Sequence, residues 1–324
     1  LAILVAVGVG VGIVRMINGL GTTTSLSDGY PWGLWILYDV FFVSFSAGAF
    51  MILIMTHIYG RKEYQAIARP VVLAGFLGEV MVLAVLVMDL GRWQQFYNVL
   101  FPWYWNPRSF MFQISICLTI YMGVMLLELA PVGLERLKWQ KPLRLIRPAT
   151  VAIALAGIVL SSLHQSSLGS LFLLMPYKVN ALWWTPLLPL QFFAASAISG
   201  LAMAIFVAVL SFRGFGRRLD LGLLATLAKV TALLLGLYLI LKVGDLLVAG
   251  ELRLVFSQGS LSALWWAEML IGVLGPMVLV GVRRFRESAR GLGAGSGCIL
   301  LGLALPRTSV ALLAQTGQGG AVYH

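Results

Sequence analysis

Continuous apolar runs, each far too long for a β-strand, make up most of this 324-residue chain. A helix that crosses about 30 Å of hydrocarbon needs about 20 mostly apolar residues. Nine stretches of this kind cover residues 1–20, 32–59, 70–91, 109–134, 148–164, 190–212, 220–249, 262–282 and 294–306. Strict alternation of apolar and polar positions, which is typical of a membrane β-strand, is absent from them. We therefore predict an all-α, polytopic transmembrane helix bundle that forms a single domain over residues 1–324.

Prolines mark the ends of several of these stretches. The dipeptides are Arg69-Pro70, Arg147-Pro148 and Leu188-Pro189. Because proline suits the first turn of a helix and disrupts its interior, each dipeptide predicts a helix boundary. The first stretch lacks the small-residue cleavage pattern of a signal peptide. We predict that it is a helix whose beginning precedes residue 1.

The composition of the chain excludes several classes of protein. Hydrophobic residues make up 60% of the chain and charged residues only 11%, with a mean hydropathy of +0.93. A soluble domain has about 25% charged residues. A soluble enzyme, a nucleic-acid-binding protein and a disordered chain are therefore excluded. Cys117 and Cys298 both lie in apolar stretches, so neither a disulfide framework nor a cysteine-ligated metal centre is expected.

The basic residues lie mainly in every second loop. The loops 60–69, 135–147, 213–219 and 283–293 hold 15 of the 23 Lys and Arg residues, and the other loops hold Arg92, Arg108, Lys178, Arg253 and Arg307. The positive-inside rule places the first four loops in the cytoplasm. The N-terminus is then cytoplasmic and residue 324 lies outside. The net charge of +11 thus indicates orientation beside anionic lipids and no nucleic-acid partner.

Half of the twelve acidic residues lie inside predicted spans, where a charge costs at least about 2.5 kcal/mol. They are Asp39, Glu79, Asp89, Glu128, Asp245 and Glu268. The predicted topology places most polar residues of the spans in the outer third of the membrane, with Glu79 near the middle and Glu128 closer to the cytoplasm. This distribution predicts a site near the outer face and a proton route that leads inward.

Structural roles are open alternatives for these residues. Two pairs lie three positions apart and could form ion pairs on one helix face, Asp89 with Arg92 and Lys242 with Asp245. Glu128 could be an interfacial residue. Asp39 and Glu268 have no local partner, which leaves either a function or a pair between helices.

The three histidines decide whether haem is expected. A transmembrane b-type haem needs two histidines at matching depth. His57 lies at the cytoplasmic end of the second stretch, His164 at the outer end of the fifth, and His324 in the outer tail. We therefore predict neither a haem nor another metal centre in this chain. His164 opens the polar stretch His-Gln-Ser-Ser-Leu-Gly-Ser, which favours a functional role for it.

Several polar stretches, taken in order, resemble those of one family of membrane proteins. They are 26–36, which reads Leu-Ser-Asp-Gly-Tyr-Pro-Trp-Gly-Leu-Trp-Ile, then 89–93, 127–131, 135–137, 164–171, 177–179 and 182–183. They are similar to the NrfD/PsrC family, and most similar to its HybB branch, the membrane subunits of periplasmic nickel–iron hydrogenases. The resemblance covers nearly the whole chain, and it implies a tenth span after residue 324.

The resemblance implies a haem-free membrane subunit of a respiratory redox complex, in the cytoplasmic membrane of a bacterium or archaeon. Such a subunit exchanges electrons with menaquinone near the periplasmic face, so it is the quinone-reducing or quinone-oxidising part of an oxidoreductase complex. The implied partners are a periplasmic four-cluster iron–sulfur protein and a catalytic subunit, such as a hydrogenase, or a multihaem cytochrome c.

Carried over onto this chain, the resemblance places Asp39 and His164 at positions that the family uses around the quinone and its protons. We predict that Trp35, Arg92 and Gln113 complete the quinone-binding set. Because buried carboxylates suit proton relay, we predict a proton-transfer set of Glu79, Asp89, Glu128, Asp245 and Glu268. Two positions depart from HybB, because Gln113 stands where the family has a glutamate and Glu79 where HybB has a tyrosine. These departures favour another branch, such as the DsrP, Hmc or Qrc proteins.

The chemistry of a quinone agrees with this assignment. Its two carbonyl oxygens gain or lose two protons together with two electrons, so the headgroup needs donors and acceptors in an apolar pocket. We predict that His164 is the headgroup ligand or proton donor and that Asp39 is its proton partner. From the residues alone a secondary transporter or ion channel is equally open, although no internal repeat is visible. A purely structural membrane anchor is the third alternative.

Overall fold

The computed structural model describes residues 2–27, 30–174, 176–216 and 220–315. Within these ranges the chain forms nine long helices. They are α1 Ala2–Asn18, α2 Leu34–Ile58, α3 Gln65–Asp89, α4 Phe110–Arg136, α5 Thr150–Leu171, α6 Leu188–Phe215, α7 Leu221–Val248, α8 Ser260–Gly281 and α9 Ala289–Leu313. Eight are long and apolar enough to cross a membrane, whereas α1 has 17 residues. The prediction of an all-α, polytopic bundle is confirmed.

Shorter helical segments connect the long helices or interrupt them. The connecting segments are Leu20–Thr23, Lys62–Tyr64, Trp93–Leu100, Pro102–Tyr104, Gln140–Ile146, Arg147–Ala149, Phe172–Leu174, Pro176–Lys178, Leu254–Ser257 and Arg283–Arg286. Three long helices contain a π-helical segment, at Ile54–Ile58 in α2, Glu268–Leu274 in α8 and Ser309–Leu313 in α9. Such segments widen a helix locally and are frequent at functional sites.

The prediction that Pro70 begins a helix is wrong. Helix α3 begins at Gln65 and contains Pro70 in its interior. A proline removes one backbone hydrogen bond, and within a membrane bundle neighbouring helices support the interrupted turn.

Two residues, one predicted at a helix end and one predicted in a loop, lie inside helices. Helix α5 continues to Leu171, so His164 is an interior residue and the predicted helix end at 164 is wrong. Two polar side chains of this stretch have partners that are compatible with a helix: the Ser170 hydroxyl donates to the Ser166 carbonyl of α5 at 3.0 Å, and the Gln165 amide donates to the Val43 carbonyl of α2 at 2.8 Å. Likewise α9 includes Arg307, which the sequence places in an outer loop.

The ends of neighbouring helices identify the two ends of the bundle. Arg69 and Arg147, from the first two basic loops, both pair with Glu135, at 3.0 and 3.4 Å. We call this end, where loops 60–69 and 135–147 meet, the basic end. At the opposite end α1 finishes beside α3, and the Arg15 guanidinium donates to the Leu90 carbonyl at 2.7 Å.

The long helices pack as two halves. In the first half α3 packs on α2 and α4, and α5 packs on α2 and α4; in the second, α7 packs on α6 and α8, and α9 packs on the same two. The halves meet where α2 crosses α6 at Gly48 and Gly200. A Cβ atom on Gly48 would lie 2.1 Å from the Gly200 carbonyl oxygen. Only glycine permits this backbone contact.

We expect Gly48→Ala to destabilise the protein by about 1–3 kcal/mol or more, because the new methyl group forces α2 away from α6. Gly244→Ala on α7 is the matched control, since its Cβ would meet no atom within 4 Å. The control should be neutral or slightly stabilising, because alanine favours helix over glycine. Thermal unfolding in detergent measures both, and equal midpoints for the two variants would contradict the close crossing.

Candidate functional site

The first group of buried polar residues lies within helices α2 to α5. Asp39 comes from α2, Glu79 from α3, Tyr121 from α4 and His164 from α5, and all four side chains are buried. The sequence places the two carboxylates and the histidine within predicted spans, Asp39 and His164 toward the outer face and Glu79 near the middle. The structure adds Tyr121, which lies in an otherwise apolar stretch of α4.

Most polar atoms of this group have no hydrogen-bond partner among the residues that the structure describes. The atoms are Asp39 Oδ1, both carboxylate oxygens of Glu79, the Tyr121 hydroxyl and both ring nitrogens of His164. Ser46 lies beside Glu79 and Tyr121, and Ser161 lies beside Tyr121. The Ser46 hydroxyl donates to the Val43 carbonyl at 2.7 Å, so it has no proton left to donate to Glu79. An unsatisfied buried polar group typically costs about 1–3 kcal/mol. The group is therefore suited to a polar ligand, to water or to protons in transit.

Arg307 joins the two halves of the bundle. Its guanidinium donates to the Val40 carbonyl of α2 and, at 2.8 Å, to the Ser196 hydroxyl of α6. It also lies 5.5 Å from the centre of the Phe192 ring, a cation–π distance. Its charge interacts electrostatically with Asp39. Arg307 thus places a fixed positive charge near the carboxylate of the first group.

Gln165, the residue after His164, continues this polar connection. Its amide donates to the Val43 carbonyl at 2.8 Å, and its oxygen accepts a hydrogen bond from Ser196. Arg307, Ser196 and Gln165 therefore form a buried chain that ties α9, α6, α5 and α2 together. Because Gln165 bonds to both α2 and α6, the neighbouring backbone of α5, which carries His164, is fixed against these two helices.

The second group of buried polar residues lies within α7 to α9 and the segment before α6. Glu268 pairs with Lys242 at 3.1 Å and accepts hydrogen bonds from Trp183 Nε1, at 2.8 and 3.0 Å, and from the Ser309 hydroxyl. All four side chains are buried. Glu268 and Ser309 each open a π-helical segment. The alternative that Glu268 pairs between helices is therefore confirmed.

Asp245 has partners of its own. It accepts hydrogen bonds from Thr185 Oγ1 at 2.8 Å and from Gln191 Nε2 at 3.1 Å. The alternative of a Lys242–Asp245 ion pair is thus replaced by two separate interactions, since Lys242 pairs across to α8. A cavity of about 20 Å³, large enough for a water molecule, lies beside Gln191, Lys242 and Arg307. Water there would connect the second group to Arg307.

The remaining residues of the predicted set lie apart from these groups. Trp35 is half-buried, Arg92 is exposed, and Gln113 is exposed with its amide donating to the Pro107 carbonyl at 3.0 Å. Asp89 and Glu128 are half-buried. In the described ranges Asp89 forms no ion pair with Arg92, and the charge that acts on it is that of Arg15. The structure therefore brings Asp39, Glu79 and His164 into one half of the bundle and leaves Arg92 and Gln113 at its surface.

The described histidines do not fit a haem with two axial histidines. His57 is exposed in the last turns of α2, where Nδ1 contacts Thr56 at 2.9 Å. His164 lies about 21 Å along α5 from the basic end, at 1.5 Å per residue. His324 lies outside the described residues. The described ranges also contain no group of three or more possible metal ligands. A chain without haem stays a prediction.

The sequence-based prediction of the site does not include Arg307, Trp183 or Thr185. Arg307 could have been found, because the apolar run that precedes it resumes after it and reaches Leu313. Trp183 and Thr185 could not, because they lie in a segment between helices and reach their partners only through folding.

Comparisons with known proteins agree on one family. The family described as polysulphide reductase, NrfD, matches residues 22–317. The probable Ni/Fe-hydrogenase 2 b-type cytochrome subunit of Escherichia coli K12 is 32% identical over 96% of this chain and 80% of that protein. The menaquinone reductase integral membrane subunit of Nitratidesulfovibrio vulgaris is 28% identical, over 84% of this chain and 69% of that protein. A selenate reductase subunit of Mesobacillus selenatarsenatis is 24% identical, over 91% and 76%.

Proposed function

This chain belongs to the NrfD family of multi-pass integral membrane proteins, and on that premise we propose that it is the quinone-reacting subunit of a respiratory redox complex. It exchanges electrons between menaquinone and a partner that holds iron–sulfur clusters or a catalytic centre. The partner docks on the loops opposite the basic end, the periplasmic side by the positive-inside rule. The partner is a four-cluster iron–sulfur protein with its catalytic subunit, or a multihaem cytochrome c.

One observation carries this proposal: inside the first half of the bundle, polar atoms of Asp39, Glu79 and His164 have no hydrogen-bond partner among the described residues. Buried groups of this kind are retained where a ligand or a proton uses them. The names of the relatives support a redox role, since they are subunits of a hydrogenase, a menaquinone reductase and a selenate reductase.

A quinone headgroup carries two electrons and takes up or releases two protons at its carbonyl oxygens. A neutral His164 ring has one nitrogen that carries a proton and one that can accept a proton. It can therefore donate a hydrogen bond to a carbonyl oxygen of the quinone and take up a proton at its other nitrogen. Asp39 exchanges that proton with His164. Arg307 stabilises the ionised carboxylate of Asp39 during the exchange. Trp35, Arg92 and Gln113 form the surface over which the headgroup approaches.

The other carboxylates of the helices conduct protons away from the site. Glu79 lies deeper in the first half, and Glu128 continues the route toward the basic end on α4. Asp245 and Glu268 belong to a second branch, which the small cavity beside Arg307 connects to Asp39 through water. Asp89 takes part at the outer end of α3.

One observation favours the transporter alternative. Glu268 and Ser309 bond to each other at π-helical interruptions of α8 and α9. Interrupted helices at buried charges are typical of ion and substrate sites in transporters. On this alternative the Lys242–Glu268 pair is the transport site and no redox partner is needed.

Purification from native membranes in mild detergent separates the two functions. We expect the chain to copurify with a cofactor-bearing partner, to contain extractable menaquinone, and to support turnover between the partner and added quinone. Once the partner's own haems are subtracted, the reduced-minus-oxidised spectrum should show no b-type haem. A chain that purifies alone, without quinone, and transports an ion in vesicles would establish the transporter alternative.

A further inference from the structure

A groove on the outer surface of the bundle lies between α3, α4 and α6 and opens toward the basic end. Its volume is about 1630 Å³. Apolar side chains line its length, among them Leu73, Leu127 and Phe212, and Arg69, Arg136 and Glu135 border its basic end. We call it the α3–α4–α6 groove.

We propose that the α3–α4–α6 groove binds one anionic phospholipid from the leaflet at the basic end. The acyl chains lie along the apolar wall, and the phosphate contacts Arg136 and Arg69. This binding is independent of the redox chemistry proposed above.

The length of the groove fits a single leaflet. On α4 its lining runs from Ile120 to Arg136, about 24 Å at 1.5 Å per residue. Half of a bilayer, headgroups included, is about 20–22 Å thick. A transmembrane helix docked here would leave the rest of its span uncovered, whereas a lipid fills the groove from headgroup to acyl ends.

The charges at the basic end favour an anion. Glu135 is paired with both Arg69 and Arg147, whereas Arg136 makes no side-chain hydrogen bond or ion pair within the described ranges. At the basic end the Glu135 carboxylate is thus accompanied by three guanidinium groups, those of Arg69, Arg136 and Arg147. A phosphate diester suits a guanidinium, which donates parallel hydrogen bonds to its oxygens. Basic pockets between transmembrane helices at the cytoplasmic side bind anionic headgroups in this way.

Glycines, which have no side chain, and a proline, which has no backbone N–H, contribute to the shape of the groove. A Cβ atom on Gly123 or Gly133 would meet no atom within 4 Å, and both positions line the groove. Pro70 lies inside α3 and also lines it. A proline leaves the carbonyl four residues earlier without its N–H partner, here that of Ala66, which lines the groove too.

Two substitutions test the groove, one at its basic end and one on its apolar wall. Arg136→Gln removes a charge that has no partner in the described part of the protein, so the fold should be unaffected. We expect the affinity of the purified complex for phosphatidylglycerol to fall about fivefold, since each basic side chain near the surface contributes about 1 kcal/mol. A Cβ atom at Gly123 meets no atom within 4 Å, so Gly123→Trp should place its indole in the open groove and abolish the binding. Native mass spectrometry of the complex, titrated with phosphatidylglycerol, measures both.

The controls separate a site from general attraction to a basic surface. Arg290→Gln removes an exposed charge from α9, outside the groove, and should leave the affinity unchanged. Glu135→Gln removes the one carboxylate of the groove and should raise the affinity about fivefold. Phosphatidylcholine, which carries no net charge, should bind wild-type protein more weakly than phosphatidylglycerol.

Two results would overturn the proposal. One is equal binding of phosphatidylglycerol by the wild-type, Arg136→Gln and Glu135→Gln proteins. The other is binding of phosphatidylcholine as tight as that of phosphatidylglycerol. If Gly123→Trp does not assemble, the opposite signs expected for Arg136→Gln and Glu135→Gln still decide the question.

Discussion

His164→Ala is expected to lower turnover with menaquinone at least about 100-fold while the partner keeps its activity with a redox dye. General acid–base groups contribute about 10²–10⁴-fold to rate, and His164 is the only described histidine in the bundle interior. Its ring nitrogens have no hydrogen-bond partner in the described part of the chain. Its removal therefore leaves no other group newly unsatisfied, and the loss should be functional.

The control for this prediction is His57→Ala. His57 is exposed near the basic end, so its loss should change neither activity. His164→Gln keeps more of the side-chain volume and distinguishes loss of packing from loss of the imidazole; it should be as inactive as His164→Ala. Normal quinone turnover in either His164 variant, with the complex intact, would exclude the proposed role.

The second large effect is expected at the Lys242–Glu268 pair. Breaking a buried ion pair by removing one partner typically costs about 3–5 kcal/mol, because the remaining charge is left unpaired. Lys242→Met and Glu268→Gln are each expected to lower the free energy of unfolding by about this amount. Trp183 and Ser309 still donate to Glu268 when Lys242 is lost, so Lys242→Met should be the milder change.

The double variant Lys242→Met with Glu268→Gln tests whether the two charges depend on each other. It is expected to recover most of the stability lost in the worse single variant, because no charge is left uncompensated. Lys229→Met, on the same helix but exposed, is the matched control and should have little effect. Additive losses in the double variant would show that the two residues act separately.

Much of the fold follows from the pattern of apolar residues. Eight spanning helices and the shorter α1 correspond to the nine predicted stretches, because a bilayer demands long apolar helices wherever they lie in the bundle. The errors lie at helix ends. Helix α5 passes through the polar stretch at His164 and α9 passes through Arg307. The fold supplies Gln165 and Arg307 with polar partners, although a hydropathy pattern scores these positions as loop.

The sequence predicts which charged residues belong to the candidate site, but it does not predict which of them pair with each other. A charge inside an apolar run is costly in any fold, so Asp39, Glu79 and Glu268 could be singled out from the sequence alone. Spacing along one helix suggested that Lys242 pairs with Asp245. The structure pairs Lys242 with Glu268 instead, because helix packing sets which charges meet.

The sequence by itself determined the membrane bundle, the number of its long helices and the buried acids that need a reason to be there. Each of these depends on transfer from water to hydrocarbon, which is a property of residues and their order. Only the tertiary structure decided that Arg307 ties α9 to α2 and α6 and that Glu268 is paired. It also decided that His164 and Glu79 find no hydrogen-bond partner within the described ranges. These facts depend on contacts between helices far apart in the chain, and hydropathy carries no information about which faces meet.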